Sequence, residues 1–277
     1  MQYNRHLQKN SEIPEKIVNF AIQFSVQMSD LKEETTVGNT ADQVKESGSA
    51  RSTAEPGLEG IQLFYEKNKQ MVNYVGGGLV AIIAGILFFQ LYYLPTQEAE
   101  AVNESFWAEK YFEVDSFNIA LNGGANVVTA DGPKQMMGFT AIADQYSMTK
   151  TGNLANYYAG VCLLRTGKFA DAIEYLKKYS NNDQVIAPIA QGAIGDCYLE
   201  LNQFDDAINH YQKAADVVDN KFSSPYYLKK LGLACELKGD FNRAIESYER
   251  IEKEYRQSTE ARDIAKYIAK AKAAGKL

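Results

Sequence analysis

Histidine is nearly missing from this 277-residue chain: there are two, His6 and His210, and each stands alone. A His-based catalytic constellation or metal site therefore has almost no material to build on. Cysteine is scarce as well. Cys162, Cys197 and Cys235 are odd in number, form no CxxC and have no neighbouring histidine pair, which excludes zinc-type and thioredoxin-type chemistry on spacing. No cysteine stands ahead of the one hydrophobic run as a lipid-attachment site would, and no charged-then-apolar leader with a small-residue cleavage site opens the sequence, so neither a lipoprotein anchor nor a conventional signal peptide is expected. Runs of Lys or Arg beyond pairs are absent and the net charge is -6, which removes the electrostatic footprint of a nucleic-acid binder. No catalytic residue, cofactor site or metal site is predicted, and the chain does not read as an enzyme.

What is there begins with "YVGGGLVAIIAGILFFQLYYLP", residues 74–95. No charged side chain occurs over residues 70–97, and twenty residues at 1.5 Å each match a hydrocarbon core of about 30 Å. Eleven Val, Leu, Ile or Phe side chains in residues 75–94, against one amide (Gln90) and four glycines, favour insertion by roughly 3 to 6 kcal/mol before polar costs. Residues 71–95 are thus predicted to form one transmembrane helix, with Tyr74 at one interface, Tyr92 and Tyr93 at the other, and Pro95 stopping or bending the helix. Lys67 and Lys69 precede the run whereas Glu98, Glu100, Glu104 and Glu109 follow it, which leads one to expect the N-terminal side in the cytoplasm and everything after Pro95 on the far side of the membrane. Gly77, Ala81 and Gly85 recur every fourth residue and offer a small-residue face to another membrane helix.

Residues 1–70 are a different material. The stretch "ETTVGNTADQVKESGSARSTAEPG" has almost nothing to bury and is expected to be disordered. Before it, Ile17, Phe20, Ala21, Phe24, Met28 and Leu31 follow helical spacing, which predicts an amphipathic helix over residues 14–32. Two readings stay open for this lead: docking on the membrane surface or a cytoplasmic partner, or an extension with no specific role, including a translation start further downstream.

After the span the chain repeats itself. "NYYAGVCLLRTGKFADAIEYL" from Asn156, "QGAIGDCYLELNQFDDAINHY" from Gln191 and "LKKLGLACELKGDFNRAIESY" from Leu228 align at Gly160, Gly195 and Gly232, at Phe169, Phe204 and Phe241, and at Ala172, Ala207 and Ala244. Each copy reads as two helices joined at Gly167, Asn202 or Gly239, residue types suited to a left-handed turn. The small landmarks mark close helix crossings, and the cysteines fall on inward faces as core filler.

These segments resemble the tetratricopeptide-repeat family, whose 34-residue unit places small, aromatic and alanine residues at this spacing. The second copy matches best, through Gly195, Tyr198, Phe204, Ala207, Tyr211 and Ala214; the first departs at Leu176 and Tyr179, the third at Cys235 and Ile251, and none has the terminal proline. The fold expected is therefore all-α: a single N-terminal transmembrane helix followed by a tetratricopeptide-repeat solenoid over residues 97–277. A degenerate repeat over 97–150, carrying Phe106, Trp107, Tyr111, Phe112, Phe117 and Ala120, is interrupted by the Gly-rich "NGGANVVTADGP", and Lys134 resumes a helical pattern. Repeats over 153–186, 188–221 and 225–257 follow, and a helix over 258–274 with Ile264, Tyr267, Ile268 and Ala271 inward caps the end.

The resemblance implies that the first helices line a concave face. Its residues are then Leu154, Tyr157, Val161, Leu164 and Arg165; Ile189, Gly192, Asp196, Leu199 and Glu200; and Tyr226, Lys229, Leu233, Glu236 and Leu237. The Lys and Asn clamp by which some cochaperones of the family hold a C-terminal carboxylate is not matched, since Tyr157 and Val161 occupy those places. An amphipathic helix or extended apolar segment suits such a groove. From about Leu58 onward, a short lead, one span and an acidic array resemble the membrane-anchored ancillary subunits of the bacterial Sec translocon. That likeness implies translocon subunits, a periplasmic chaperone of the prolyl-isomerase class and emerging secreted chains as protein partners. The alternative is a scaffold subunit of another envelope machine, in cell division, outer-membrane assembly or secretion.

Overall fold

The computed structural model describes residues 65–129, 132–180 and 183–276. The chain divides into two units, Met1–Lys69 and Gln70–Leu277. Most of the first, including the stretch expected as an amphipathic helix at 14–32, lies outside the described residues.

The second unit starts with a helix far longer than the sequence predicts. α1 (Lys69–Phe88) passes through a π-helical segment (Phe89–Tyr93) into α2 (Leu94–Glu113), giving one continuous 45-residue helix. Pro95 does not stop it. Proline has no N–H to give and its ring collides with the carbonyl four residues back. Here the wider π turn takes up the misfit: Leu94 N–H reaches Phe89 O, five residues back, and Thr96 Oγ1 donates to Tyr92 O at 2.8 Å. The rings around the π segment pair up, Phe88 on Tyr92 and Phe89 on Tyr93, each with centroids 5.3 Å apart. None of the α1 side chains is buried, although the helix is apolar and long enough to cross a membrane by length and composition.

The fold is mostly helical, and the all-α expectation needs one correction. α3 (Phe117–Asn122) ends at Gly123, after which β1 (Gly123–Thr129) and β2 (Gly132–Met137) form an antiparallel hairpin with Asn126 opposite Gln135 and Thr129 opposite Gly132. The helical pattern expected from Lys134 therefore begins only with α4 (Phe139–Gln145). Gly123 at φ +72° is the pivot, and a Cβ there would lie 2.5 Å from Gly138 N. Val127 and Met136 are the side chains the hairpin buries.

Three helix hairpins follow: α5 (Lys150–Arg165) with α6 (Phe169–Lys178), α7 (Ile186–Glu200) with α8 (Phe204–Asp216), and α9 (Ser223–Lys238) with α10 (Phe241–Glu254). Their turns hold Gly167, Asn202 and Gly239 at φ +75°, +58° and +87°. Thr149 caps α5, its Oγ1 accepting from Gly152 N at 2.9 Å, and a polar side chain two residues ahead of the N-cap holds the entry to the other two first helices: Asp183 accepts from Val185 and Ile186 N at 2.8 Å each, and Asn220 from Ser223 N at 2.6 Å. The landmark glycines have one shared cause. A Cβ on Gly160 would stand 2.5 Å from Leu176, one on Gly195 2.7 Å from the Tyr211 ring, and one on Gly232 2.3 Å from the Tyr248 ring. In each repeat the glycine lets the residue sixteen places on lie flat against the first helix. The closing helix, α11 (Ile264–Gly275), is shorter than the expected 258–274 because a 3-10 turn (Glu260–Arg262) precedes it; it buries Ile264, Ile268 and Ala271.

The core is two clusters, one running from Ala101 to Cys197 and the other from Ala207 to Ala271, and half-buried Tyr198 packs against both. An aromatic knot welds the opening helices to the first repeat: Phe112 meets Phe117, Phe139 and Tyr158 edge-on at centroid distances of 5.5, 6.2 and 5.1 Å.

Candidate partner groove

The first helices α5, α7 and α9 line a concave surface of about 820 Å³. Ten of the residues that the resemblance implies for the concave face stand in it: Tyr157, Val161, Leu164 and Arg165 from α5; Ile189, Asp196, Leu199 and Glu200 from α7; Tyr226 and Leu233 from α9. Leu154 lines a separate hollow beside Tyr179 and Ile186. Lys229 and Glu236 are occupied between helices. Lys229 Nζ lies 3.4 Å from Asp263 Oδ1 and 4.5 Å from the Tyr267 ring centroid. Glu236 accepts from Tyr248 Oη and Lys270 Nζ, both at 2.8 Å. Gly192 lies under the ring of Tyr227, and Leu237 is exposed beyond the concavity.

The floor of the groove is a hydrogen-bonded triad in which Lys230, not singled out from the sequence, joins Asp196 and Tyr211, which were. Tyr211 Oη donates to Asp196 Oδ1 at 2.6 Å, and Lys230 Nζ donates to both Asp196 oxygens at 2.7 and 2.8 Å. Burial, and then the neighbouring charge of Asp196, raise the Tyr211 phenol well above its ordinary value, so it remains a donor. Lys230 also lies 5.2 Å from the Tyr226 centroid and 5.7 Å from that of Tyr211. The signal for Lys230 was its distance along the chain. Lys230–Asp196, Lys270–Glu236 and Arg250–Asp216 are each pairs 34 residues apart, one repeat length, linking a helix to its counterpart in the next repeat.

With Asp196 neutralised by Lys230, the free charge of the groove is Arg165 and Glu200. Both are exposed and neither has an ion pair among the described residues. Between them the surface is aromatic and aliphatic, through Tyr157, Val161, Leu164, Leu199, Tyr226 and Leu233. No nucleophile–base pair lies in it. Burial pushes the Cys162 and Cys197 thiols up to about 12 and Cys235 up to about 11, which leaves all three protonated and inert. His210 is hydrogen-bonded to Gln191 at 2.9 Å and stacked on Tyr198, and burial lowers its pKa to about 4. Among the described residues no group of His, Cys, Asp and Glu could hold a metal ion. Gly77, Ala81 and Gly85 are exposed on α1, and a Cβ at Gly77 or Gly85 would meet nothing within 4 Å.

A family model described as tetratricopeptide repeat matches residues 189–259, and one described as anaphase-promoting complex, cyclosome, subunit 3 matches residues 140–214. No curated protein matches the chain. Among solved structures, a putative kinesin light chain with nearly identical tetratricopeptide-like repeats from Podosopora anserina, and a single-substitution form of it, are each 10% identical at a TM-score of 0.46, over 65% of this chain and 88% of theirs. MamA is 22% identical at a TM-score of 0.34, over 50% of this chain and 89% of its own. Repeats of this type suggest a protein–protein interaction module, and scaffold families built from them are generally non-enzymatic. The two matched stretches and the three hairpins that share a glycine-to-second-helix contact support a tetratricopeptide-repeat protein.

Proposed function

We propose that this chain is a membrane-anchored protein–protein interaction module whose groove receives a helical or extended apolar segment. The observation that carries the reading is the concave surface itself, a band of aromatic and aliphatic side chains with one unpaired cation and one unpaired anion at its rim. That pattern suits a segment with an apolar face and a few charges, because apolar burial supplies affinity while Arg165 and Glu200 set register and direction. Residues 71–95 serve as the anchor, with the N-terminal side cytoplasmic and the repeats on the outer side of a bacterial inner membrane. The work assigned to the groove is assistance to secreted chains at the Sec translocon together with a periplasmic chaperone. This rests on the likeness of layout, a short lead, one span and an acidic array.

The test is purification from native membranes in mild detergent through a C-terminal tag, with quantitative mass spectrometry of what accompanies the protein. Parallel preparations carry Tyr226→Ala with Leu199→Ser. Translocon subunits and a periplasmic chaperone, depleted by the groove substitutions, are the expected result. Another envelope complex in their place, lost with the same substitutions, would keep the groove and replace the export role with a scaffold role in that machine. Partners indifferent to the groove substitutions would refute the groove as the binding face.

A further inference from the structure

The array has two edges, because helices joined by turns of a few residues run antiparallel. The tight turns at Gly167, Asn202 and Gly239 lie on one edge; the loops that open α5, α7 and α9 lie on the other. The second edge is joined to the apolar helix at the point where the expected span ends. Glu98 is four residues past Leu94, about 6 Å along the axis. Its carboxylate accepts from Lys150 N at 2.6 Å, Thr151 N at 3.1 Å and Thr151 Oγ1 at 2.6 Å, which fixes the start of α5 at that height. Asn153 and Ser180 then exchange two hydrogen bonds, Asn153 Nδ2 to Ser180 O at 3.2 Å and Ser180 N to Asn153 Oδ1 at 3.0 Å, bringing the loop ahead of α7 to the same edge.

Each of these three loops carries a bare apolar side chain: Met148 is 72% exposed, Val185 64% and Phe222 91%. Their side chains cap nothing: Val185 and Phe222 hold the N-cap positions of α7 and α9 without a side-chain cap bond, and the N–H groups at the helix starts are taken by Thr149, Asp183 and Asn220. Lys150 and Lys221, exposed and without an ion pair among the described residues, stand next to two of the loops. Asp183 spends its charge on two backbone N–H groups and Asp219 accepts from Tyr255 Oη at 2.5 Å.

We propose that this loop edge rests on the bilayer crossed by the protein's own apolar helix, with Met148, Val185 and Phe222 seated in the lipid interface. The occupant is the lipid surface because the helix itself brings it there: a membrane boundary near Leu94 lies one helical turn from the Glu98 contact. Small apolar tips with lysines beside them suit the headgroup boundary, where the side chain enters the acyl region and the ammonium stays with phosphate. The array then sits against the membrane along its length, and the turn edge faces away.

The proposal depends on α1 being the anchor, and the experiment separates the two. Full-length protein is reconstituted in vesicles of phosphatidylcholine and phosphatidylglycerol, with single cysteines introduced by Met148→Cys, Val185→Cys, Phe222→Cys, Ile83→Cys or Leu237→Cys and labelled with an environment-sensitive fluorophore. The native thiols are buried, and labelling of the unsubstituted protein measures their background. Leu237 is the control: it is 62% exposed and apolar but lies at the other end of α9 from Phe222, about 22 Å away. The expected result is blue-shifted emission, quenched by lipids with a shallow acyl spin label, at Met148, Val185 and Phe222, with Leu237 unshifted and unquenched. Ile83 in lipid with Val185 and Phe222 in water would overturn the proposal and leave the anchor standing. Ile83 in water would overturn both, and quenching at Leu237 equal to that at Phe222 would show immersion without an edge preference, which also refutes it.

Discussion

Replacing Gly195 by alanine tests the packing logic of the array in one atom. In a helix interior alanine is favoured over glycine by about 0.5–1 kcal/mol, so propensity alone makes this a stabilising change. The structure reverses the sign. The new Cβ would lie 2.7 Å from Tyr211 Cε1 and 2.8 Å from Cδ1. The ring must withdraw by roughly 0.7 Å to reach ordinary contact. It is not free to do so: its hydroxyl is held by Asp196, and Asp196 by Lys230. Overpacking of this kind costs about 1–3 kcal/mol, and loss of the bond to the carboxylate adds about 1.5–3 kcal/mol if the ring gives way instead. Less the propensity gain, a net destabilisation of up to about 2.5 kcal/mol follows, or a drop in Tm of as much as roughly 5–10 °C for a domain of this size. The assay is thermal unfolding followed by circular dichroism on the detergent-solubilised protein. In the Tyr211→Ala background the same Gly195→Ala change has no ring to meet and should become neutral or stabilising, a non-additivity read from the four proteins together. An unchanged or raised Tm for Gly195→Ala alone would refute the argument that the repeat glycines exist to admit the second-helix ring.

Three further outcomes are expected. Cys162, Cys197 and Cys235 should resist alkylation in the folded protein at pH 8 and all react in denaturant; rapid native labelling of any one would contradict their burial. His210, with a folded pKa of about 4 against about 6.5 unfolded, takes up its proton mainly in the unfolded chain between those values, so its contribution is full above pH 6.5 and lost as pH falls towards 4. His210→Gln should therefore flatten the acid side of the stability profile between about pH 6.5 and 4, and parallel profiles for the two proteins would show that the ring is hydrated. Gly239→Ala, at φ +87°, is expected to cost about 1–2 kcal/mol in urea unfolding, and no cost would mean that the turn adopts another conformation.

The repeats were legible because their packing is local and periodic. Gly160, Gly195 and Gly232 announce themselves by spacing, as do the left-handed turn residues, since each is forced by a contact within one hairpin. What escaped lies where the period breaks. The hairpin at 123–137 was hidden by reading its glycines as an insertion, although Val127 and Val128 ahead of Asp131-Gly132 are a recognised hairpin signal. The helix was expected to end at Pro95 because proline rules assume an i−4 ladder; the π turn supplies an i−5 bond and lets the chain run on. Within the groove, first-helix positions were placed by repeat register, and Tyr211, a landmark of the second copy, meets Asp196 inside its own hairpin, but Lys230 comes from the register between repeats. Lys229 and Glu236 were spent on that same inter-repeat bonding.

The uninterrupted passage from α1 through the π segment into α2 has a mechanical meaning. No glycine linker or swivel separates the apolar helix from the aromatic knot at Phe112, so with α1 in a bilayer the groove cannot turn independently of it. Whatever grips one face of α1 thereby chooses the compass direction in which the groove opens. A neighbour inside the membrane would act on cargo outside it by aiming the receptacle, without ever touching what the receptacle holds.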